Sequence, residues 1–131
     1  MGKFDDKPTK PGWIGVDLDG TLAYYAGWDP DNLGIGEPIP AMLERVKFWV
    51  ANGHTVKIMT ARVAHEHGSA FVRQEIEEWC LKHIGRKLEV TCQKDYAMIE
   101  LWDDRAVRVK ANEGVPCCEH HESKPSYHKI T

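Results

Sequence analysis

The sequence predicts an α/β fold in which a parallel sheet is flanked by helices. Short apolar segments of strand length alternate with longer segments of helical periodicity, and this alternation is typical of parallel sheets with right-handed crossovers. Acidic residues directly follow two of the predicted strands, as expected where ligands bind beyond the carboxyl ends of an open sheet. The 131 residues are enough for one domain with its own core, because single domains usually contain about 100–150 residues.

Composition and charge narrow the class of protein further. The net charge of −3 at pH 7 argues against a strongly basic nucleic-acid binder. No apolar stretch approaches the roughly 20 residues that a membrane-spanning helix needs, and the N-terminal residues lack the apolar region of a signal peptide. We therefore expect a cytoplasmic protein without membrane contact, in which the four cysteines are reduced thiols.

The first half of the chain predicts one strand, one long loop and one helix. Residues 1–12 are charged and contain prolines, which predicts a flexible leader. The apolar residues 13–18 predict a buried strand, and the glycine- and proline-rich residues 22–40 predict a long irregular loop of the kind that often carries function. A helix should begin at Pro40, because proline suits the first helical turn, and end at Gly53, a typical left-handed stop.

The second half of the chain continues this alternation. We expect a strand over 55–59, a helix over roughly 66–84, and strands over 88–91, 99–102 and 107–109. Residues 112–131 are polar and predict a C-terminal tail. The predicted domain thus covers residues 13–111.

Polar and acidic residues stand where the predicted strands end. Because the carboxyl ends of parallel strands lie along one edge of an open sheet, and ligands bind there, we expect these side chains to meet. They are Asp17 and Asp19 at the end of the first strand, Thr60 at the end of the second, Asp103 and Asp104 at the end of the fourth, and Lys94 in the loop leading into the fourth.

Four carboxylates at one edge need a cation to be stable. Two like charges about 4 Å apart repel each other by roughly 4 kcal/mol at an effective dielectric constant near 20. A ligand set made only of oxygen favours a hard cation, Mg²⁺ first and Mn²⁺ second. Because Mg²⁺ keeps water and substrate phosphate among its ligands, the cluster predicts a site for phosphoryl transfer.

The pair formed by Asp17 and Asp19 suits this chemistry. One carboxylate can attack phosphorus as a nucleophile, while the other donates a proton to the leaving oxygen and later takes one from water. Gly20 lets the backbone approach a phosphate closely. Thr60 and Lys94 supply a hydrogen bond and a positive charge for the phosphate oxygens.

These residues also resemble the motifs of a known family. The segment Asp-Leu-Asp-Gly-Thr at 17–21 resembles the first motif of the haloacid dehalogenase superfamily, whose members are mostly Mg²⁺-dependent phosphatases. Thr60, Lys94 and the pair Asp103-Asp104 resemble the second, third and fourth motifs and occur in the family's order. The resemblance covers most of the chain and implies a Rossmann-like core.

The resemblance implies a role for each of these residues. Asp17 would be the nucleophile and Asp19 the general acid and base, since phosphatases of the family carry an aspartate at the second position. The Mg²⁺ ligands would be Asp17, Asp103, the backbone carbonyl of Asp19 and, through water, Asp104. The phosphate would be bound by Gly20, Thr60, Ala61 and Lys94.

The chain leaves no room for the cap domains that the family inserts between its motifs. Residues 22–40 are too short for one, and the core needs the helix and strand within 61–93. The resemblance is therefore to the cap-free class, whose open sites take large substrates or are covered by a loop or by a neighbouring subunit of a homo-oligomer.

Residues 99–106 resemble the phosphatase domains of bacteriophage polynucleotide kinases, which favours a nucleotide or a nucleic-acid terminal phosphate as the substrate. The alternative function is a non-catalytic phosphate-binding or regulatory module of the same fold.

Several side chains near the predicted site have two interpretations. Arg62 and Arg105 either face the substrate or pair with surface acids. Tyr24, Tyr25 and Trp28 either stack on a base or sugar or anchor the long loop to the core.

The sequence also leaves open which lysine would bind the phosphate. Lys94 lies nine positions before Asp103, a tight spacing for the family. Lys57 and Lys110 are poorer choices, because neither stands at the right end of a strand.

The polar tail carries soft metal ligands. Cys117, Cys118, His120 and His121 either bind Zn²⁺ or bind metal only adventitiously, since adjacent cysteines lack the usual spacing of structural zinc sites.

Overall fold

The computed structural model describes residues 12–27, 34–65 and 69–117. The strands are β1 (Trp13–Asp17), β2 (Thr55–Met59), β3 (Glu89–Thr91) and β4 (Met98–Trp102), and the helices are α1 (Pro40–Ala51) and α2 (Ser69–His83). A single 3₁₀ turn, Ala61–Val63, lies between β2 and α2. All but one of the predicted elements are present, with ends shifted by a few residues.

The four strands form one parallel sheet in the order β3-β2-β1-β4. Asp17 pairs with Met59 of β2, and Val16 pairs with Trp102 of β4. The carboxyl end of β1 therefore lies between the carboxyl ends of two neighbours. This arrangement confirms the predicted α/β fold with a parallel sheet.

Both helices cover the same face of the sheet. Alternate strand residues, among them Ile14 and Val16 of β1 and Ile58 of β2, pack in one cluster with side chains from both helices. Right-handed crossovers that proceed in one direction along a sheet place their helices on one side. The buried helical members are Met42, Val46 and Trp49 of α1 and Ile76, Trp79 and Cys80 of α2.

Helix α1 begins and ends where the sequence predicts. Pro40 occupies the first turn, where its missing N–H removes no hydrogen bond. At the other end, Asn52 donates its side-chain amide to the Phe48 carbonyl at 2.8 Å, and Gly53 has a φ of 86°. A residue with a Cβ adopts that φ only with strain, so the glycine allows the chain to leave the helix and enter β2.

The opposite face of the sheet contacts the loop between β3 and β4. The Trp13 indole donates to Oδ1 of Asp95 at 2.9 Å, and Nζ of Lys57 lies 4.7 Å from the centre of the Trp13 ring. The hydrogen bond from Trp13 is the main cause that lowers the pKa of Asp95. These contacts hold Asp95, in the second half of the loop, at the amino end of β1.

The predicted strand over 107–109 is wrong. Val109 forms one isolated antiparallel bridge, to Pro116, and Lys110 donates its backbone N–H to Val115 at 2.8 Å. The turn between these residues contains Asn112 and Gly114, both with positive φ. The chain therefore folds back on itself after β4 instead of adding a fifth strand, and Val109 remains 53% exposed.

The long loop after β1 is closed at its base. Tyr24 donates its backbone N–H to the Glu37 carbonyl, and Ile39 donates to the Leu22 carbonyl, both at 2.8 Å. Leu22 is completely buried, so this base belongs to the core. Residues 28–33 of the loop lie outside the described residues.

Two further expectations concern membrane contact and thiols. In the described ranges, no helix combines the length and apolar character needed to cross a bilayer. Cys80 is buried and Cys92 and Cys117 are exposed, all three as free cysteines. The leader residues 1–11 lie outside the described part of the chain.

Candidate active site

Three carboxylates meet at the carboxyl edge of the sheet. Asp17 is the last residue of β1, and Asp103 and Asp104 follow β4 directly. One oxygen from each of these side chains lies within 4.8 Å of the others. Asp17 and Asp103 are half-buried and Asp104 is exposed. The structure therefore brings together three of the four predicted carboxylates.

Thr21 links the carboxylates of the two strands. Its hydroxyl oxygen accepts the backbone N–H of Asp104 at 2.9 Å. The same oxygen lies 3.0 Å from Oδ1 of Asp104 and 3.3 Å from Oδ2 of Asp17. Because a hydroxyl has a single hydrogen, it can donate to only one of these carboxylates at a time. Thr21 is not among the predicted site residues, and the signal that could have found it is its place as the last residue of the segment 17–21 that resembles the first motif of the family.

Gly20 is required at its position for two reasons. Its φ of 91° lies in the left-handed region that only glycine adopts without strain. A Cβ on this residue would also lie 2.7 Å from Oδ2 of Asp104. The missing side chain lets the loop after β1 pass directly beside the carboxylate cluster.

The environment of Asp17 opposes its ionisation. Burial is the largest cause that raises its pKa, to about 7, followed by the charge of Asp103 and by the hydrogen bond and charge of Asp104. The hydrogen bond from Thr21 acts in the opposite direction. A nucleophilic carboxylate must be ionised, so a positive charge near Asp17 would be needed at neutral pH.

The donor set of this cluster fits a hard divalent cation. All three groups offer carboxylate oxygen, without nitrogen or sulfur, which is the ligand chemistry of Mg²⁺ and Mn²⁺. A cation among these side chains would offset their mutual repulsion and favour the ionised form of Asp17.

We expect Mg²⁺ to raise the melting temperature more at about pH 8 than at about pH 5. Folded Asp17 holds its proton up to about pH 7, whereas its ordinary pKa is 3.8. The stability contributed by this group is therefore present at low pH and is lost as the pH rises towards 7. Above that pH the cation binds without displacing a proton. Saturation at about 100 times Kd stabilises by about 2.7 kcal/mol, or roughly 10 °C for a domain of this size.

Thermal unfolding followed by circular dichroism, in EDTA and then in excess MgCl₂, measures this shift. Sodium chloride at matched ionic strength is the control for screening. A shift of the same size at both pH values would contradict the proposed linkage between proton and cation.

The fourth carboxylate, that of Asp19, pairs with Arg62. Nε of Arg62 donates to Oδ2 at 2.7 Å, and Nη2 donates to Oδ1 at 2.9 Å. The hydrogen bond to Asp19 is the largest cause that raises the pKa of Arg62. The carboxylate of Asp19 is therefore bound to a guanidinium and does not belong to the group of three carboxylates. Of the two interpretations of Arg62, pairing with an acid is found, and that acid is Asp19.

Thr60 and Ala61 follow β2 as predicted. The backbone N–H of Thr60 donates to the Thr91 carbonyl at 2.9 Å, and its hydroxyl accepts the backbone N–H of Arg62 at 3.1 Å. Thr60 is only 3% exposed, whereas Ala61 is exposed. Thr60 thus begins the 3₁₀ turn that carries Arg62 towards Asp19.

Two basic residues that the sequence predicts at the site, Arg105 and Lys94, are exposed. Arg105 donates its backbone N–H to Oδ1 of Asp103 at 2.8 Å, and its side chain is exposed. Lys94 lies three residues after β3 and is exposed; among the described residues no hydrogen bond or ion pair of Lys94 is found. Its role as the phosphate-binding lysine stays a prediction.

Two of the three aromatic residues of the long loop, Tyr24 and Tyr25, are exposed. Tyr24 is 65% exposed and Tyr25 is 44% exposed, so neither side chain is part of the core. Trp28 lies outside the described residues, as do Cys118, His120 and His121 of the tail.

Comparisons with known proteins identify no relative of this chain. No family model, no curated protein and no solved structure matches it. The function is therefore inferred from the residues and their geometry.

Proposed function

We propose that this chain is a cap-free phosphatase of the haloacid dehalogenase superfamily that hydrolyses phosphomonoesters with Mg²⁺. The observation that carries the proposal is the meeting of Asp17, Asp103 and Asp104 at the carboxyl edge of a parallel sheet. The strand order β3-β2-β1-β4 supports a Rossmann-like core, in which ligands bind at that edge.

Asp17 is the nucleophile of the proposed reaction. One of its oxygens forms a bond to phosphorus while the bond from phosphorus to the leaving oxygen breaks, which gives an aspartyl-phosphate. Gly20 supports this role because a Cβ on it would collide with the carboxylate of Asp104 in the cluster. Mg²⁺ bound by Asp17, Asp103 and the carbonyl of Asp19, with Asp104 acting through water, would supply the positive charge that offsets the phosphate oxygens and the carboxylates.

Asp19 is the general acid and base of the proposed reaction. It must enter the first step protonated, gives that proton to the leaving oxygen, and regains one from the attacking water in the second step. The water oxygen then bonds to phosphorus as the bond to Asp17 breaks, so both aspartates return to their starting state. Thr60, Ala61 and Lys94 bind the phosphate oxygens in this proposal.

The substrate is proposed to be a nucleotide or the phosphorylated end of a nucleic acid. The exposure of Tyr24 and Tyr25 in the loop that follows Asp19 supports this class, because aromatic rings stack on bases of any sequence. A second subunit covering the open site and a cytoplasmic location are parts of the same proposal.

Hydrolysis of para-nitrophenyl phosphate with Mg²⁺ and with EDTA tests the proposal. We expect release of inorganic phosphate that needs Mg²⁺ or Mn²⁺ and stops when the metal is removed. A panel of nucleotides and of 3′- or 5′-phosphorylated oligonucleotides then identifies the substrate class. Binding of phosphate compounds without turnover would favour the non-catalytic module, and turnover that is unchanged in EDTA would contradict the role of the carboxylate cluster.

A further inference from the structure

The contact between Arg62 and Asp19 joins parts of the chain that are far apart in sequence. Arg62 lies in the 3₁₀ turn after β2, and Asp19 lies in the loop after β1, 43 positions earlier. The two side chains are 24% and 21% exposed, so the pair is largely shielded from water. Two N–H groups of one guanidinium donate to the two oxygens of one carboxylate, a bidentate geometry that fixes the relative orientation of both planes.

This geometry determines which lone pairs of Asp19 are available. A carboxylate has about four acceptor positions, two on each oxygen. Arg62 takes one position on each oxygen of Asp19. The other position on each oxygen stays available for a proton exchanged with a leaving group or with water, so the guanidinium restricts the carboxylate to one orientation without occupying all of its acceptor positions.

The same guanidinium also contacts the long loop. Nη2 of Arg62 lies 3.4 Å from the carbonyl oxygen of Gly34, and the Trp79 indole of α2 donates to the neighbouring Gly36 carbonyl at 3.0 Å. Meanwhile the backbone N–H of Arg62 is bound by the Thr60 hydroxyl. Arg62 therefore connects Asp19, the end of β2 and the far side of the loop in a single network.

We propose that Arg62 is a positioning residue that holds the Asp19 carboxylate in the orientation needed for proton transfer to the leaving oxygen. The proposal rests on the proposed phosphatase function and assigns Arg62 a role through Asp19 instead of direct contact with phosphate. An arginine is needed because a lysine ammonium is a point charge and lacks the planar fork that fixes a carboxylate.

The role makes the effect of Arg62 depend on the leaving group. An alkoxide leaves poorly without a proton, whereas dinitrophenolate leaves without one, so only the first reaction needs a well-placed acid. General acid catalysis contributes roughly 10² to 10⁴ in rate. Arg62→Lys should therefore lower kcat/KM for an alkyl phosphate by about a hundredfold and change kcat/KM for 2,4-dinitrophenyl phosphate by less than about threefold. The ratio kcat/KM is compared because it covers only the steps up to the aspartyl-phosphate, whereas Asp19 acts on water in the second step with both substrates.

The experiment measures kcat and KM of the full chain and its Arg62→Lys and Arg62→Ala variants on these two substrates. Arg86→Lys is the matched control, because Arg86 is exposed and precedes the amino end of β3. Each variant is first melted to show that it folds. Asp19→Asn should show the same dependence on the leaving group, and adding Arg62→Lys to it should cause little further loss, because the two residues act as one unit.

The outcomes separate the possible roles of Arg62. Loss of kcat/KM on the alkyl substrate alone supports the positioning role. Equal losses of kcat/KM on both substrates would overturn it, in favour of direct phosphate binding where KM rises and of a purely structural role where KM stays within a few-fold of wild type. A wild-type chain that hydrolyses neither substrate would overturn the proposed function, and this role of Arg62 with it.

Discussion

Replacing Asp17 by asparagine should lower turnover of an aryl phosphate by at least about a thousandfold, because removal of a nucleophile that forms a covalent intermediate eliminates the reaction path. The amide has nearly the shape of the carboxylate but no negative charge. Since burial and two neighbouring carboxylates oppose the charge of Asp17, the metal-free variant should melt at the same temperature as wild type, or higher, above about pH 7. The variant should thus lose activity without losing stability.

Asp95→Asn is the matched control for this substitution. Asp95 lies at the opposite end of the sheet, where Oδ1 accepts the Trp13 indole and the backbone N–H of Ala97, both at 2.9 Å. An asparagine keeps an acceptor oxygen for these bonds and removes the same charge. We expect normal turnover from this variant, measured by phosphate release under identical conditions. Turnover by Asp17→Asn at more than about a tenth of the wild-type rate would refute the nucleophilic role of Asp17.

Replacing Gly36 by alanine should destabilise the fold by about 3 kcal/mol or more. A Cβ at this position would collide with the carbonyl oxygen of Tyr24 and lie 3.0 Å from its carbonyl carbon. Both groups belong to backbone that is fixed by the hydrogen bond from Tyr24 to Glu37, so neither can rotate away as a flexible side chain would. The collision would force the base of the long loop apart.

Urea unfolding of Gly36→Ala beside Gly53→Ala measures this effect. Gly53 has a φ of 86° but nothing within 4 Å of its ideal Cβ, so its substitution reports left-handed backbone strain alone, about 1 kcal/mol. If the urea concentration at the unfolding midpoint were the same for Gly36→Ala and Gly53→Ala, the two segments that form the base of the loop would separate easily, and the expected collision would be contradicted. A larger loss of unfolding free energy in Gly36→Ala would show that the close packing of Gly36 against Tyr24 keeps the base of the loop rigid.

The main architecture was predictable because local chemistry and topology agree. Gly53 and Gly85 end helices with positive φ, which a sequence pattern indicates directly. The convergence of Asp17 with Asp103 followed from a general property of parallel sheets, namely that the carboxyl ends of their strands share one edge. Neither inference needs the position of any individual side chain.

The remaining features depend on geometry that a pattern does not contain. The alternation of valine and basic residues over 107–109 has the same period in an exposed hairpin as in a buried strand, so the predicted strand there was wrong. Thr21 joins Asp17 to Asp104 only because the turn after β1 places its hydroxyl between them. The partner of Arg62 was undecided because a long side chain can reach many acids, and a 3₁₀ turn selects Asp19.

The closed base of the loop after β1 makes its outer part a site of tolerated insertion. Since Leu22 and Ile39 are already joined by a backbone hydrogen bond, the packing of the core does not depend on the number of residues between them. Each doubling of a flexible loop costs only about 0.6 kcal/mol in closure entropy. A protein engineer could therefore lengthen this connection, or graft a small folded unit into it, and change what reaches the carboxylates while leaving the sheet that carries them intact.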